Sequence, residues 1–424
     1  MFTIFYKVVW AIATSLITLS SIYFSKKLKY KQLNVKELIL SLKDDNKKGN
    51  GLSPKDTLML TLAGRIGVGS IAGIALGIYI GGIGTIFWVW VTTFLVAILS
   101  YSETYLGIKF REKDYDGNYI GGPSYYIKNG LHKKKLSYLY ALLIIVCYIG
   151  GFLGIQSNTI TKSFIEIVPI SKYIVSFFLV ILTFFSIFGG IVGISKITSK
   201  LVPFMTLFYI FLFIYVVFVN YTQIPIILLN IIKDAFHMDS FLGGFLSTCI
   251  IGLQRGIFSN EAGLGTGSIS ASTTSSDSPS KQAYLEVIGV YITSIILCTA
   301  TALFILTTPY QGIVFQDMNG IELMQYAFSY HFGSFGKILL FMFIFLFAFS
   351  TVLTGYYYGE SALRFIIGKG HKKFIILLKG ITLAVVFLGG IMSATILWNI
   401  VDLLVAFLAI INIYALICLE DKIS

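Results

Sequence analysis

The sequence predicts an all-α polytopic membrane protein of about eleven transmembrane helices, one N-terminal helix followed by two sets of five. Three observations lead there. Hydrophobic residues make up 56% of the 424 and charged residues only 12%, where soluble domains carry about 25% charged residues, and the mean hydropathy is +0.83. Long apolar runs recur between short polar stretches that hold most of the lysines and arginines. Two of those runs are interrupted by glycines and polar side chains, as in helices broken inside a bilayer.

In chain order, the apolar run 3–24 ends in Ser-Lys-Lys with no small-residue cleavage site after it, and it reads as a span, with an uncleaved signal anchor as the alternative. The basic segment Lys26 to Lys55 follows, with an amphipathic helix expected at Val35 to Lys43 on the membrane surface or, alternatively, a solvated linker. A span at 57–80 turns at Gly81-Gly82-Ile83-Gly84 and returns as 87–108, with Trp88 and Trp90 placed at an interface. The loop Lys109 to Lys135 carries Gly121-Gly-Pro-Ser-Tyr-Tyr126, a turn and a short amphipathic piece. Spans are expected at 138–160, 173–194 and 200–220, the last two separated by a basic turn at Ser195 to Lys200. After an outer loop, Tyr221 to Ser240, the second set begins with a broken helix at 241–267, then an inner loop Ser268 to Ser280 and spans at 283–308, 335–363, 374–392 and 396–418. Three regions follow: 1–56 with the N-terminal helix and basic segment, 57–220 with the first five helices, and 241–418 with the second five.

The net charge of +12 raises nucleic acid as a partner, but the positions of the basic residues exclude it. Crossing at each apolar run puts 24 of the 32 on one side, in the segments Lys26 to Lys55 and Lys109 to Lys135 above all. That asymmetry marks the basic side as cytoplasmic, which places the N-terminus outside and the C-terminus inside. Five spans per set is an odd number, so the two sets run in opposite orientation and form an inverted repeat of the LeuT type. The partners implied are membrane lipid and a solute carried between the repeats.

The two interrupted stretches are Gly64-Arg-Ile-Gly-Val-Gly-Ser-Ile-Ala-Gly73 and Gln254-Arg-Gly-Ile-Phe-Ser-Asn-Glu-Ala-Gly-Leu-Gly265. Gly67, Gly69 and Gly73 let the backbone unwind and approach a ligand, although Gly69 and Gly73 also match a G-x-x-x-G packing face. A nucleotide-binding loop is a poor fit without a preceding strand. A broken helix offers N–H donors to a carboxylate and carbonyls to an ammonium group. The nearest polar candidates are Ser70, the backbone from Gly69 to Ile71, and Ser259, with Phe258 covering a small side chain and Ala262 leaving space. Gln156 beside Gly150-Gly-Phe-Leu-Gly154 faces the core, as a ligand contact or an interhelical hydrogen bond. Ser350 and Thr351 interrupt an apolar span; they supply hydroxyls to a hard cation or bond back to their own helix. No cofactor is expected.

The ionisable residues read as structural: Glu360 and Arg364 pair locally, Arg255 snorkels outward, and Glu261, Glu103 and Asp402 brace a break or line a gate. The four cysteines lie in apolar runs as packing residues, and the four histidines lack ligand spacing.

With these blocks in view, the chain resembles the alanine or glycine:cation symporters, also called sodium:alanine symporters. The resemblance rests on Gly67-Val-Gly-Ser-Ile-Ala-Gly73, Gly84-Thr-Ile-Phe-Trp-Val-Trp90, Gly121-Gly-Pro-Ser-Tyr-Tyr126, Gln156-Ser-Asn158, Arg255-Gly-Ile-Phe-Ser-Asn-Glu-Ala-Gly263, Tyr357-Tyr-Gly-Glu360 and Trp398-Asn-Ile-Val-Asp402. It implies import of a small neutral amino acid, alanine or glycine in type, coupled to sodium, and it favours ligand contact for Gln156. The chain departs from the family pattern at Ser70 in place of Asn, at Thr354 and Gly355 in place of Gly-Trp, and at Thr293 in place of Asp. The replacements at Ser70, Thr354 and Gly355 imply a larger pocket and side chains bigger than alanine's, unless Tyr356 fills the space; alternatively position 355 faces a neighbouring helix and glycine or alanine remains best. Proton coupling or another small solute on the same fold is the alternative; an intramembrane enzyme or a channel lacks a supporting motif.

Overall fold

The computed structural model describes residues 2–43, 51–114, 117–236, 246–309, 320–368 and 372–424. It is helical almost throughout. The chain begins with α1 (Phe2–Lys27) and the short α2 (Val35–Lys43), then α3 (Pro54–Arg65), α4 (Ala72–Gly81) and α5 (Thr85–Lys109). A two-stranded antiparallel hairpin, β1 (Glu112–Lys113) with β2 (Tyr119–Ile120), leads into α6 (Pro123–Asn129). Next come α7 (Lys134–Ile144) and α8 (Leu153–Ile165), joined by a π-helical stretch at Ile145–Phe152, then α9 (Lys172–Ile187), α10 (Gly190–Val219) and α11 (Ile224–Ala235). The remainder is α12 (Leu246–Asn260), α13 (Thr266–Ala271), α14 (Pro279–Tyr291) and α15 (Cys298–Leu306) across a second π stretch, α16 (Ile321–Phe332), α17 (Gly336–Ile367), α18 (Lys372–Ile391) and α19 (Ala394–Cys418).

Local chemistry sets several boundaries. Ser53 caps α3 by accepting from the Asp56 amide at 3.1 Å, with Pro54 at the first helical position. Ser278 and Pro279 start α14 in the same way. Asp234, near the end of α11, accepts the Gly84 amide at 2.7 Å and so caps the entry to α5.

Among the described residues, eight helices are long and apolar enough to cross a membrane, or nine if α3 and α4, bent by 60° at a short break, form one span. Two of the expected spans fall short of that count. Helix α9 has 16 residues, and the segment from 241 begins outside the described residues, with the 15-residue α12 as its described part. Large apolar side chains on α9 and α10, Phe185, Phe211 and Phe218 among them, are exposed. Such a surface suits lipid and not water.

Three boundaries differ from the expectation. The basic turn at Ser195 to Lys200 is absent: α10 runs through it, and the chain reverses at Phe188–Gly190, where Gly190 adopts φ +62°. Glycine enters that left-handed region freely, whereas Lys196 and Lys200 remain helical and carry their charges outward on long side chains. The inner loop Ser268 to Ser280 instead opens with α13, fully buried, because its hydroxyls bond back to nearby carbonyls, such as Ser272 to Ser268 at 2.5 Å. The outer loop Tyr221 to Ser240 contains α11; its residues 237–240 lie outside those described.

Helix α1 packs on α19 and α5, α14 lies along α5, and α17 contacts α3, α8 and α10. The middle of α17, Phe347 to Glu360, is buried throughout. It faces the break between α3 and α4.

Candidate functional site

The first break separates α3 from α4 by Ile66 to Ile71, with a 3-10 turn at Val68–Ser70. The last helical bond of α3 is Ile66 N–H to Leu62 at 2.7 Å, so the carbonyls of Ala63 and Gly64 are released from the ladder. Thr351 on α17 comes to meet them. Its hydroxyl lies 2.9 Å from the Ala63 carbonyl and 3.4 Å from that of Gly64, while Ser350 Oγ is 3.4 Å from Ala63. Both hydroxyls also reach the Phe347 carbonyl of their own helix, at 3.0 Å and 2.9 Å. Two hydroxyl protons are thus shared among three carbonyls, and oxygen lone pairs are in surplus.

Gln156 on α8 accepts the Val68 amide at 3.2 Å, and its Nε2 has no protein partner among the described residues. Both of the motif's first two glycines are required by contact. A Cβ at Gly67 would lie 2.6 Å from Thr351 Oγ1, and one at Gly69 would lie 2.9 Å from the Phe258 ring.

The second break, between α12 and α13, is held differently. Glu261, Gly263 and Gly265 adopt φ of +54°, +85° and +88°. Glu103 on α5 accepts from the amides of Gly263 at 3.2 Å and Gly265 at 2.9 Å and from Asn412 Nδ2 at 3.1 Å. Asn412 also donates to the Gly263 carbonyl at 3.0 Å, and the Tyr126 hydroxyl donates to Asn412 Oδ1. Glu261 accepts from the Tyr148 hydroxyl at 2.7 Å and from Thr266 at 3.0 Å. Glu261 thus sits at the break itself, next to the residues it is expected to brace or to gate.

The breaks meet at Ser70 and Ser259, whose hydroxyls are 3.0 Å apart; Ser259 is also 3.1 Å from Cys298 Sγ, and Thr301 donates to the Ser70 carbonyl at 2.8 Å. Phe258 lies over Gly69, stacked on Phe152 at 4.9 Å and tilted to Trp398 at 4.9 Å. Gly67, Gly69, Ser70, Gln156, Phe258 and Ser259 are therefore gathered in one place, with Ile71 closing the 3-10 turn onto Val68 at 3.2 Å. Two sequence candidates lie apart from that cluster. The Ala262 amide is tied to the Asn260 side chain at 3.0 Å within the second break. Gly355 faces Leu153 and Tyr148, whose atoms would stand 2.8 Å and 3.3 Å from a Cβ there, because α17 turns this position toward the π-helical stretch and the start of α8.

The ionisable groups form pairs across long sequence separations. Arg255 does not snorkel: its Nη2 meets Asp402 Oδ2 at 3.0 Å, with the guanidinium 5.3 Å from the Trp398 ring centre and the Tyr6 hydroxyl donating to the same carboxylate at 3.0 Å. A buried guanidinium needs a counter-charge, and α19 supplies one. Arg65, at the end of α3, meets Glu286 of α14 at 3.2 Å, with neither side chain exposed, and donates to Ser100 at 3.0 Å. This second pair was not foreseen. Its only signal was one unexplained Arg and one unexplained Glu in apolar runs, each of which requires a partner. Glu360 and Arg364 pair as expected, at 2.7 Å.

These features belong to a recognisable group of proteins. A family model described as the sodium:alanine symporter family matches residues 1–424. The chain is 32% identical over 420 residues to the sodium/alanine symporter AgcS of Methanococcus maripaludis, covering 95% of this chain and 90% of that one. It is 33% identical over 406 residues to the probable sodium/glutamine symporter GlnT of Bacillus subtilis, covering 95% and 84%. A crystal structure of a mutant manganese transporter from Eremococcus coleocola is similar with a TM-score of 0.59 at 12% identity, covering 86% of this chain and 75% of that one, a likeness of fold alone. With two interrupted helices meeting in a multi-pass bundle and a match along its whole length, the chain belongs to the sodium:alanine symporter family, a family of transporters and not of enzymes.

Proposed function

We propose that this protein is a secondary active symporter that imports a small neutral amino acid with sodium by alternating access. The observation that carries the reading is the oxygen-rich gap at the first break, where the Ser350 and Thr351 hydroxyls approach the freed carbonyls of Ala63 and Gly64. A hard cation satisfies such a surplus of lone pairs, and sodium enters there as cargo. The amino acid's carboxylate lies against the Gly69 to Ile71 amides and the Ser70 and Ser259 hydroxyls. Phe258 covers its side chain, and Gln156 offers its free Nε2 to the ligand.

The arrangement proposed is the LeuT-type five-plus-five inverted repeat after one N-terminal helix, eleven spans in all. It is supported by the two breaks falling in the first helix of each set, and the basic loops support a cytoplasmic C-terminus and an external N-terminus. Side chains larger than alanine's fit this reading through the shorter Ser70 arm, while any widening near Gly355 acts through Tyr148 and Leu153. The names of the two relatives, one for alanine and one for glutamine, support a neutral amino acid.

Uptake by vesicles containing the purified protein tests the proposal. Labelled alanine should accumulate saturably under an inward sodium gradient, with competition by a series from glycine to glutamine. Accumulation driven equally well by a proton gradient without sodium contradicts it.

A further inference from the structure

Helix α2 is set at the end of a membrane span and presents a mixed surface. The first span candidate ends at Lys27, and α2 begins at Val35, so it lies at the level where a bilayer's headgroups start. The approach is pinned by hydrogen bonds from Gln32 to Ser25 at 2.7 Å, from Lys31 to Tyr101 at 3.0 Å and from Tyr291 to the Gln32 carbonyl at 2.8 Å. Ser41 is buried on the side that packs against α14.

The opposite sides are uncovered. Val35, Ile39 and Leu42 share one face and are 64%, 51% and 43% exposed. Lys36 and Lys43, exposed as well, lie roughly a quarter turn away at 100° per residue. Lys26, in the last turn of α1, and Lys29, just after it, are exposed as well, and the side chains of all four lysines lack a hydrogen-bond or ion-pair partner among the described residues. Lys27, by contrast, is engaged by Glu420 at 3.1 Å and Asp421 at 3.3 Å. One acid, Glu37, stands in α2 against them.

We propose that α2 and the turn before it are a docking surface for anionic phospholipid headgroups. Val35, Ile39 and Leu42 enter the boundary of the acyl region, and Lys26, Lys29, Lys36 and Lys43 reach phosphate groups around them. A soluble partner would meet this face only by displacing the bilayer that the end of α1 brings beside it. Charge decides between lipids: a zwitterionic surface satisfies the apolar face alone, whereas an anionic one also engages the lysines.

Hydrogen exchange of the full-length protein in vesicles tests this, comparing phosphatidylcholine with phosphatidylcholine plus phosphatidylglycerol. The α2 amides should exchange more slowly in the anionic vesicles, by roughly fivefold per engaged lysine, the factor that corresponds to about 1 kcal/mol for each basic residue near such a surface. Added salt should reverse the difference. The triple variant Lys29→Gln, Lys36→Gln and Lys43→Gln should lose most of it while α1 exchanges as before, and Ile39→Ser should speed exchange in both lipids. Equal α2 exchange in the two vesicle types overturns the proposal. So does an anionic slowing that survives in the triple variant, or an Ile39→Ser variant that exchanges like the parent in both.

Discussion

The two broken helices solve the same problem in opposite ways. At the second break the freed backbone groups are met by protein side chains: Glu103 takes two glycine amides, Asn412 donates to a carbonyl, and Glu261 is held by Tyr148 and Thr266, while Glu103 Oε1 and Asn260 Nδ2 keep no partner among the described residues. At the first break the freed carbonyls of Ala63 and Gly64 face hydroxyls that have too few protons to serve them, and Gln156 has a donor to spare. A backbone that must be unwound in a membrane needs partners for its polar groups. Where protein side chains supply partners for the freed backbone, the break reads as scaffold; where they leave backbone acceptors in surplus, the proposed function places the cation and the amino acid.

This contrast orders the expected effects of substitution. The largest should come from Glu103→Ala, which strands two backbone amides and the Asn412 side chain. Each unpaired buried group costs about 1 to 3 kcal/mol, so a loss of about 3 kcal/mol or more is expected, read as a large fall in thermal unfolding midpoint of the detergent-solubilised protein. An unchanged midpoint would mean that the second break is not held by this carboxyl group. Next is Gly67→Ala. The added Cβ falls 2.6 Å from the Thr351 hydroxyl, and we expect the sodium concentration for half-maximal uptake to rise by about tenfold, equivalent to about 1.4 kcal/mol. A purely structural Gly67 would instead lower the unfolding midpoint and leave sodium dependence intact.

A third variant, Gln156→Ala, removes the acceptor for the Val68 amide, at 3.2 Å in the parent, together with the spare donor. Its cost in stability should be about 1 kcal/mol. Substrate half-saturation should rise by roughly fivefold with maximal rate little changed, the pattern for a group that binds ground and transition states alike. A fall in maximal rate alone would place Gln156 in the moving parts and not at the ligand.

Much of this contrast was legible from local pattern. Glycines inside apolar runs announced both breaks, because little else explains Gly67-x-Gly69 or Gly263-x-Gly265 at membrane depth, and paired hydroxyls at Ser350 and Thr351 stood out in an otherwise apolar span. What escaped was long-range. Nothing near Arg65 indicates Glu286, since the two meet only once α3 lies beside α14. The same holds for Arg255 and Asp402, where the expectation of snorkelling assumed a lipid neighbour instead of α19. Gly355 reads as a pocket wall only through the Trp that the resembled family carries there, whereas the helix phase turns it toward Leu153 and Tyr148. The charges of Ser195 to Lys200 suggest a turn there, but the chain reverses at the Gly189-Gly190 pair, where Gly190 adopts φ +62°.

The most direct measurement of the difference between the breaks is the effect of sodium on thermal unfolding in the absence of amino acid. Binding to the folded state raises the midpoint in proportion to RT ln(1 + [L]/Kd). Without sodium, the double variant Ser350→Ala, Thr351→Ala should unfold within about 2 kcal/mol of the parent, since each lost hydroxyl removes one modest hydrogen bond of about 1 kcal/mol. The parent should then gain stability with rising sodium, Glu103→Gln should keep that gain from a lower starting point, and the double variant should lose it. A sodium-dependent gain that persists in the double variant but vanishes in Glu103→Gln would contradict the account, by placing the ion at the break we describe as scaffold.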